Sequence, residues 1–254
     1  MMITKNPNYS LMKQLAEEVL LSIDNPVLPI KVKPIIDVLT DKDLIMHTYN
    51  QYATLENIDY DTLIREVKSK DGTLRYLPDA SYVLLYNKNI QQDRKTWTIA
   101  HELGHYYAKH HIKLYNYAKK NKITTDEIPE ELHIACEREA NCFARELLAP
   151  TSLMQITMGL LEASDFVDIY TILRTQFRLS KEASYYTAKD MHKLSYPNYS
   201  KSLCLKYESA ITNYFSTVEN RNFFNILLRK YEREIDIRDY KQRLTIMPIG
   251  FLKL

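Results

Sequence analysis

Residues 96–111 read TWTIAHELGHYYAKHH, and the meaning of this stretch decides the fold. On an α-helix, residues four apart lie about 40° past one full turn and about 6 Å along the axis, so they share a face. His101 and His105 therefore point the same way, and their ring nitrogens can converge on one ion. Glu102 sits beside His101, where it can take a proton from water held by such an ion without binding the ion itself. An ordinary amphipathic helix with two histidines on its polar face would carry the same letters. A third ligand separates the two cases.

Catalytic zinc takes three protein ligands and keeps one position open. Downstream, residues 129–150 read PEELHIACEREANCFARELLAP, a helical pattern stopped by Pro150. It offers Glu137 and Glu139 as carboxylate ligands. Glu137 and Asn141 share a face, so one can bind metal while the other accepts from the second ring nitrogen of a ligand histidine. Glu137 is preferred on that ground; Glu139 lies off that face, where solvent or a salt bridge suits it. Ala140, Phe143, Ala144, Leu147 and Leu148 supply an apolar stripe to press this helix onto the first.

Outward from these two helices the pattern is mostly helical. Pro78-Asp79 marks a turn before Tyr82–Tyr86, YVLLY, a short apolar run rich in strand formers. Asp93 is the expected N-cap of a helix from Arg94 to about His110. His110 and His111 are expected to close that helix, where its dipole favours a cation. Lys113–Ile128 reads as a surface loop. Leu11, Leu15, Val19 and Ile23 predict an N-terminal helix, and further helices are expected over 166–177 and 181–192, the latter capped by Ser180. YPNYS, residues 196–200, looks like a boundary, followed by helical patterns and an apolar tail. The expected organisation is a helix over 1–24, a catalytic domain over 25–195 and a helical C-terminal extension over 196–254.

Composition narrows the function classes. The 254 residues carry 34 basic and 32 acidic side chains, net +2, which gives no basis for coating nucleic acid or for a polybasic membrane anchor. Three cysteines without CxxC spacing fit a reducing compartment better than a disulfide framework. The N-terminal segment carries Glu17 and Glu18 in its most hydrophobic part, so neither a signal peptide nor a spanning helix is expected there. A cytoplasmic protein is the expectation.

The succession of a strand, TIAHELGHYYAKHH and EREANCFARELLAP resembles the ImmA/IrrE family of zinc metallopeptidases. That family has an HELGH helix followed by a glutamate helix of the form ExEANxFAxxLLMP; here Ala149 replaces the usual Met. The resemblance covers roughly residues 25–195. It implies an α+β, helix-rich, zincin-like core built from the HExxH helix, the glutamate helix and a small sheet. It implies one Zn²⁺ per chain on His101, His105 and Glu137, with Glu102 as general base; Asn141, on the Glu137 face, is expected to support a ligand histidine. The strand Tyr82, Val83, Leu84, Leu85, Tyr86 is the expected sheet edge for an extended substrate segment. The oxyanion donor stays open among His133, His110, Tyr106, Tyr185 and Tyr186. The implied partner is a helix-turn-helix repressor of a phage or mobile element, cleaved to relieve repression, with no direct nucleic-acid or membrane contact. The alternative is a non-proteolytic antirepressor that inactivates a regulator by docking.

Overall fold

The computed structural model describes residues 3–40, 43–163, 165–192 and 200–234. In chain order the elements are α1 (Tyr9–Ser22), α2 (Lys33–Thr40), β1 (Leu44–Thr48), α3 (Tyr49–Leu55), α4 (Tyr60–Val67), β2 (Gly72–Tyr76), β3 (Tyr82–Tyr86), α5 (Gln92–Ala108), α6 (His110–Asn121) and α7 (Glu130–Leu148). Then come α8 (Thr151–Leu160), α9 (Phe166–Thr175), α10 (Lys181–His192), α11 (Lys201–Ser216) and α12 (Val218–Glu234). The fold is α+β and helix-rich with one small sheet, as a zincin-like core requires. Two compact units form, one from Met1–Val19 and Lys31–Leu147, the other from Leu20–Ile30 and Leu148–Leu254. The boundary expected at residues 195 and 196 and the apolar tail lie outside the described residues.

The first unit holds the sheet, in the order β1-β3-β2. β1 runs parallel to β3, with Leu44 opposite Tyr82 and Thr48 opposite Tyr86. β2 runs antiparallel, with Gly72 opposite Tyr86 and Tyr76 opposite Tyr82. Tyr82–Tyr86 is thus a strand, as expected, but it is the central strand and not an edge. Its unbroken apolar run is the reason: Tyr82, Val83, Leu84 and Leu85 are all buried, which happens where both faces are covered. Val83 and Leu85 pack with Tyr49, Ala53 and Leu63 of α3 and α4. Tyr82 points to the opposite face, its ring centroid 5.1 Å from that of Tyr106 on α5. Thr48 ends β1 and starts α3 through a capping box: its hydroxyl accepts the Gln51 N–H at 3.2 Å, and its own N–H reaches Gln51 Oε1 at 2.9 Å.

Three helix limits differ from the sequence expectation. α5 begins at Gln92 after Gln91, so Asp93 lies within its first turn, where the dipole favours a carboxylate. It ends at Ala108 because Lys109 takes a left-handed conformation (φ 54°), and His110 and His111 open α6 instead of closing α5. The stretch expected to be a loop is mostly α6, held by Leu114, Tyr117 and Ala118 packing against Ile128 and Leu132. Leu114, Tyr117 and Ala118 stand three and four residues apart, so the helical signal is present but masked by the lysines around it.

The second unit contains α8 to α12. α9 packs on α10 and α12, and α8 on α11. Pro150 stops α7 and immediately precedes α8, a helix the sequence pattern did not announce. Ser180 caps α10 as expected, accepting the Ala183 N–H at 3.2 Å.

All three cysteines are buried. Burial pushes the Cys136 thiol up to about 12 and that of Cys142 up to about 11, which keeps both as unreactive thiols. The native protein is expected to leave a disulfide-exchange reagent unreacted, and all three thiols should appear once guanidinium unfolds it. Prompt labelling of Cys136 in the native state would contradict this packing.

Candidate metal centre

α5 and α7 cross where the chain has its smallest residues. A Cβ added at Gly104 would come within 2.8 Å of Ala140 Cα, and the Tyr107 and Phe143 rings stack with centroids 5.3 Å apart. This close approach sets two rows of side chains against each other, His101, Glu102 and His105 from α5 and Glu137 and Asn141 from α7.

The two histidine Nε2 atoms lie 3.1 Å apart. Glu137 Oε2 is 3.2 Å from His101 Nε2, and Oε1 is 3.4 Å from His105 Nε2. Asn141 Oδ1, an acceptor, sits 3.0 Å from His101 Nδ1. The Nδ1 of His101 therefore carries the proton, and its Nε2 presents a lone pair. A tetrahedral zinc with bonds of roughly 2.0–2.1 Å separates its ligand atoms by about 3.3 Å. The observed separations are close to that spacing, and two imidazole nitrogens with one carboxylate can hold a divalent ion such as zinc. Among the described residues His101, His105 and Glu137 form the group that could hold a metal ion, with one ligand atom each within 4.8 Å of the others.

The electrostatics of the cluster favour a cation. Burial opposes a proton on His101, yet hydrogen bonding to Glu137 and the nearby Glu102 carboxylate hold its pKa above the usual imidazole value. Glu137 is exposed on its outer side, and although the surrounding protein partly desolvates it, hydrogen bonds from His101 and His105 hold this carboxyl below its ordinary range. His105 is pushed down to about 4, chiefly by burial. The cluster thus draws cationic charge toward the face where the two Nε2 atoms meet Glu137.

A cavity of about 490 Å³ opens on this face. Glu102 lines it beside the ligands, 9% exposed, with its pKa raised to about 7 by burial. The opposite wall includes Gly72, Thr73 and Leu74 of β2. Asp71 O accepts the Asn87 N–H and Leu77 N–H reaches Ser81 O, at 2.8 and 2.9 Å. Alternation along an antiparallel pair then turns the main-chain groups of Gly72, Leu74 and Tyr76 away from β3. The Leu74 N–H accordingly meets the Glu102 carboxylate. The open sheet edge beside the ligands is therefore β2, in place of the Tyr82–Tyr86 edge expected from the sequence.

His101, Glu102, His105, Glu137 and Asn141 are thus brought together. Three of the residues left open as oxyanion donors are placed otherwise. His133 is exposed on α7, His110 lies behind His105 and Tyr106 donates to Asp43. His111 lines the cavity instead, beside the Leu74 backbone. Glu139 takes a hydrogen bond from His110, whose pKa burial lowers, and is itself buried and not solvent-exposed.

The metallopeptidase family model described as the IrrE N-terminal-like domain matches residues 55–189, a range that contains all five site residues. Among curated proteins no sequence matches the chain. No helix among the described residues is long and apolar enough to cross a membrane.

Proposed function

Because the chain belongs to the IrrE N-terminal-like family of metallopeptidases, we propose that it is a zinc-dependent endopeptidase that cuts a helix-turn-helix repressor at a specific site. The observation that carries the enzymatic part is the convergence of His101, His105 and Glu137 on one face of a cavity that also holds a buried, unliganded carboxylate, Glu102. A site that only bound metal or protein would have no use for a carboxylate kept there against its desolvation. Support for the repressor as substrate comes from the resemblance of the HELGH and EREAN motifs.

His101, His105 and Glu137 would hold the ion. A divalent cation held there supplies Lewis acidity, lowering the pKa of a coordinated water toward 7 and polarising the scissile carbonyl. Glu102 accepts the proton of the attacking water on its carboxylate and passes it to the leaving amine nitrogen. Burial raises its pKa in the metal-free site, and a cation held beside it would draw it back toward the carboxylate form that a general base needs. The Leu74 N–H faces this carboxylate and slightly favours its ionised form against the burial. The outward main-chain groups of Gly72 and Tyr76 would pair with an extended substrate segment, those of Leu74 being turned to Glu102 and His111. Asn141 keeps His101 Nε2 free for the metal.

The test is the intact mass of a helix-turn-helix regulator encoded beside this gene, co-expressed with the wild type or with Glu102→Gln. A discrete fragment with the wild type alone supports the protease. An intact regulator whose repression is relieved by both forms would replace the protease with a docking antirepressor. Purified wild type should also carry about one zinc per chain, and a metal-free wild type would remove the mechanism.

A further inference from the structure

Behind His105 lies a second imidazole and a second carboxylate that the proposed chemistry does not use. His110 is 1% exposed, its Nδ1 3.0 Å from His105 Nδ1 and its Nε2 2.8 Å from Glu139 Oε2. The other Glu139 oxygen, Oε1, accepts the Asn8 N–H at 2.7 Å. The left-handed turn at Lys109 is what brings His110 back to this position.

Two Nδ1 atoms at hydrogen-bond distance need one proton between them, and the surroundings decide which ring carries it. Suppose His110 donated from Nδ1. As a neutral ring its Nε2 would then be an acceptor facing the Glu139 carboxylate at 2.8 Å, two lone pairs in a buried contact. His105 would then carry its proton on Nε2 and have no lone pair for a metal. The opposite assignment satisfies every atom. His110 donates from Nε2 to Glu139, leaving Nδ1 as acceptor; His105 donates from Nδ1 to it, and His105 Nε2 is left as a lone pair beside His101 and Glu137.

We infer that His110 and Glu139 are positioning residues for the metal, a relay from the backbone of Asn8 through Glu139 and His110 that fixes the tautomer and ring orientation of His105. This rests on the proposed metal site and extends it to a residue that touches neither metal nor substrate. Partners of this kind commonly change metal affinity by roughly 10–100-fold when removed.

Two conservative substitutions separate the links. An asparagine carries its carbonyl oxygen at the same remove from Cβ as imidazole Nδ1, so His110→Asn keeps the acceptor for His105 and gives up Glu139. A glutamine ends where Nε2 lies, so His110→Gln keeps Glu139 and gives up His105. The full chain is stripped of metal, and zinc affinity is read by competition with a chromophoric chelator. His110→Gln is expected to bind zinc about 10–100-fold more weakly than wild type, and His110→Asn to lose clearly less. A packing role for the His110–Glu139 pair predicts the reverse order in stability and leaves affinity unmoved. Equal affinities, or a larger loss for Asn, overturn the relay while leaving the metal site in place. A wild type that takes up no zinc overturns both. If the variants do not fold, long-range nitrogen–proton NMR of zinc-loaded wild type decides. The relay requires a proton on Nδ1 of His105 and on Nε2 of His110, and the opposite tautomer on either ring refutes it.

Discussion

Glu102→Gln is expected to lower peptide-bond cleavage by about 10²–10⁴-fold with zinc content unchanged. The amide has the shape of the carboxylate and its oxygen can still accept the Leu74 N–H, so the cavity wall stays as it is. What it cannot do is take up a proton, and Glu102 is not among the three groups that converge as ligands. Rate and zinc stoichiometry measured on one preparation check this, and parallel loss of metal and activity would assign Glu102 to the ligand set. Stability should move the other way. Burial raises the Glu102 pKa from 4.5 to about 7, so the folded chain binds this proton more tightly than the unfolded one. Its destabilising contribution is absent below pH 4.5, grows as pH rises toward 7 and is complete above that. Metal-free Glu102→Gln should therefore melt no lower than wild type above neutral pH. A clearly lower melting temperature would show that the ionised carboxylate is well solvated in the folded chain.

Gly104→Ala is expected to destabilise the metal-free protein by about 1–3 kcal/mol, against the usual gain from placing alanine inside a helix. On a free helix surface that exchange would stabilise by roughly 1 kcal/mol. Here the new methyl would meet Ala140 Cα at 2.8 Å, Ala140 O at 3.0 Å and Phe143 Cβ at 3.2 Å. Two of these atoms are backbone and cannot rotate away, so α5 and α7 must separate. Because Glu137 and Asn141 ride on α7, the same shift should weaken zinc binding. Urea unfolding and chelator competition read the two effects. A stabilised variant would mean that the helices do not approach so closely.

Much of the site is legible in the chain itself. HELGH and EREAN place their side chains by local helical geometry, and Gly104 and Ala140 stand where two helices can touch. Other features have a signal that is outweighed. The continuous run YVLLY marks a strand covered on both faces, and so a central one, but an apolar strand beside an HExxH helix invites the role of edge. Leu114, Tyr117 and Ala118 spell a helix within a lysine-rich stretch. Still others have no signal. Neither glycine nor proline announces the left-handed turn at Lys109, and nothing in the chain pairs His110 with a glutamate 29 residues away.

By itself the sequence determined which residues share a face: His101 with His105, Glu137 with Asn141, and the apolar stripe of α7. Those relations follow from the pitch of a single helix and are independent of what surrounds it. Only the tertiary structure decided that β2 is the open edge, that α5 stops at Ala108, and that Glu139 and His110 stand behind His105. Strand order, the break after α5 and buried polar pairing are set by contacts between distant segments, whose energies leave no periodic trace in the chain.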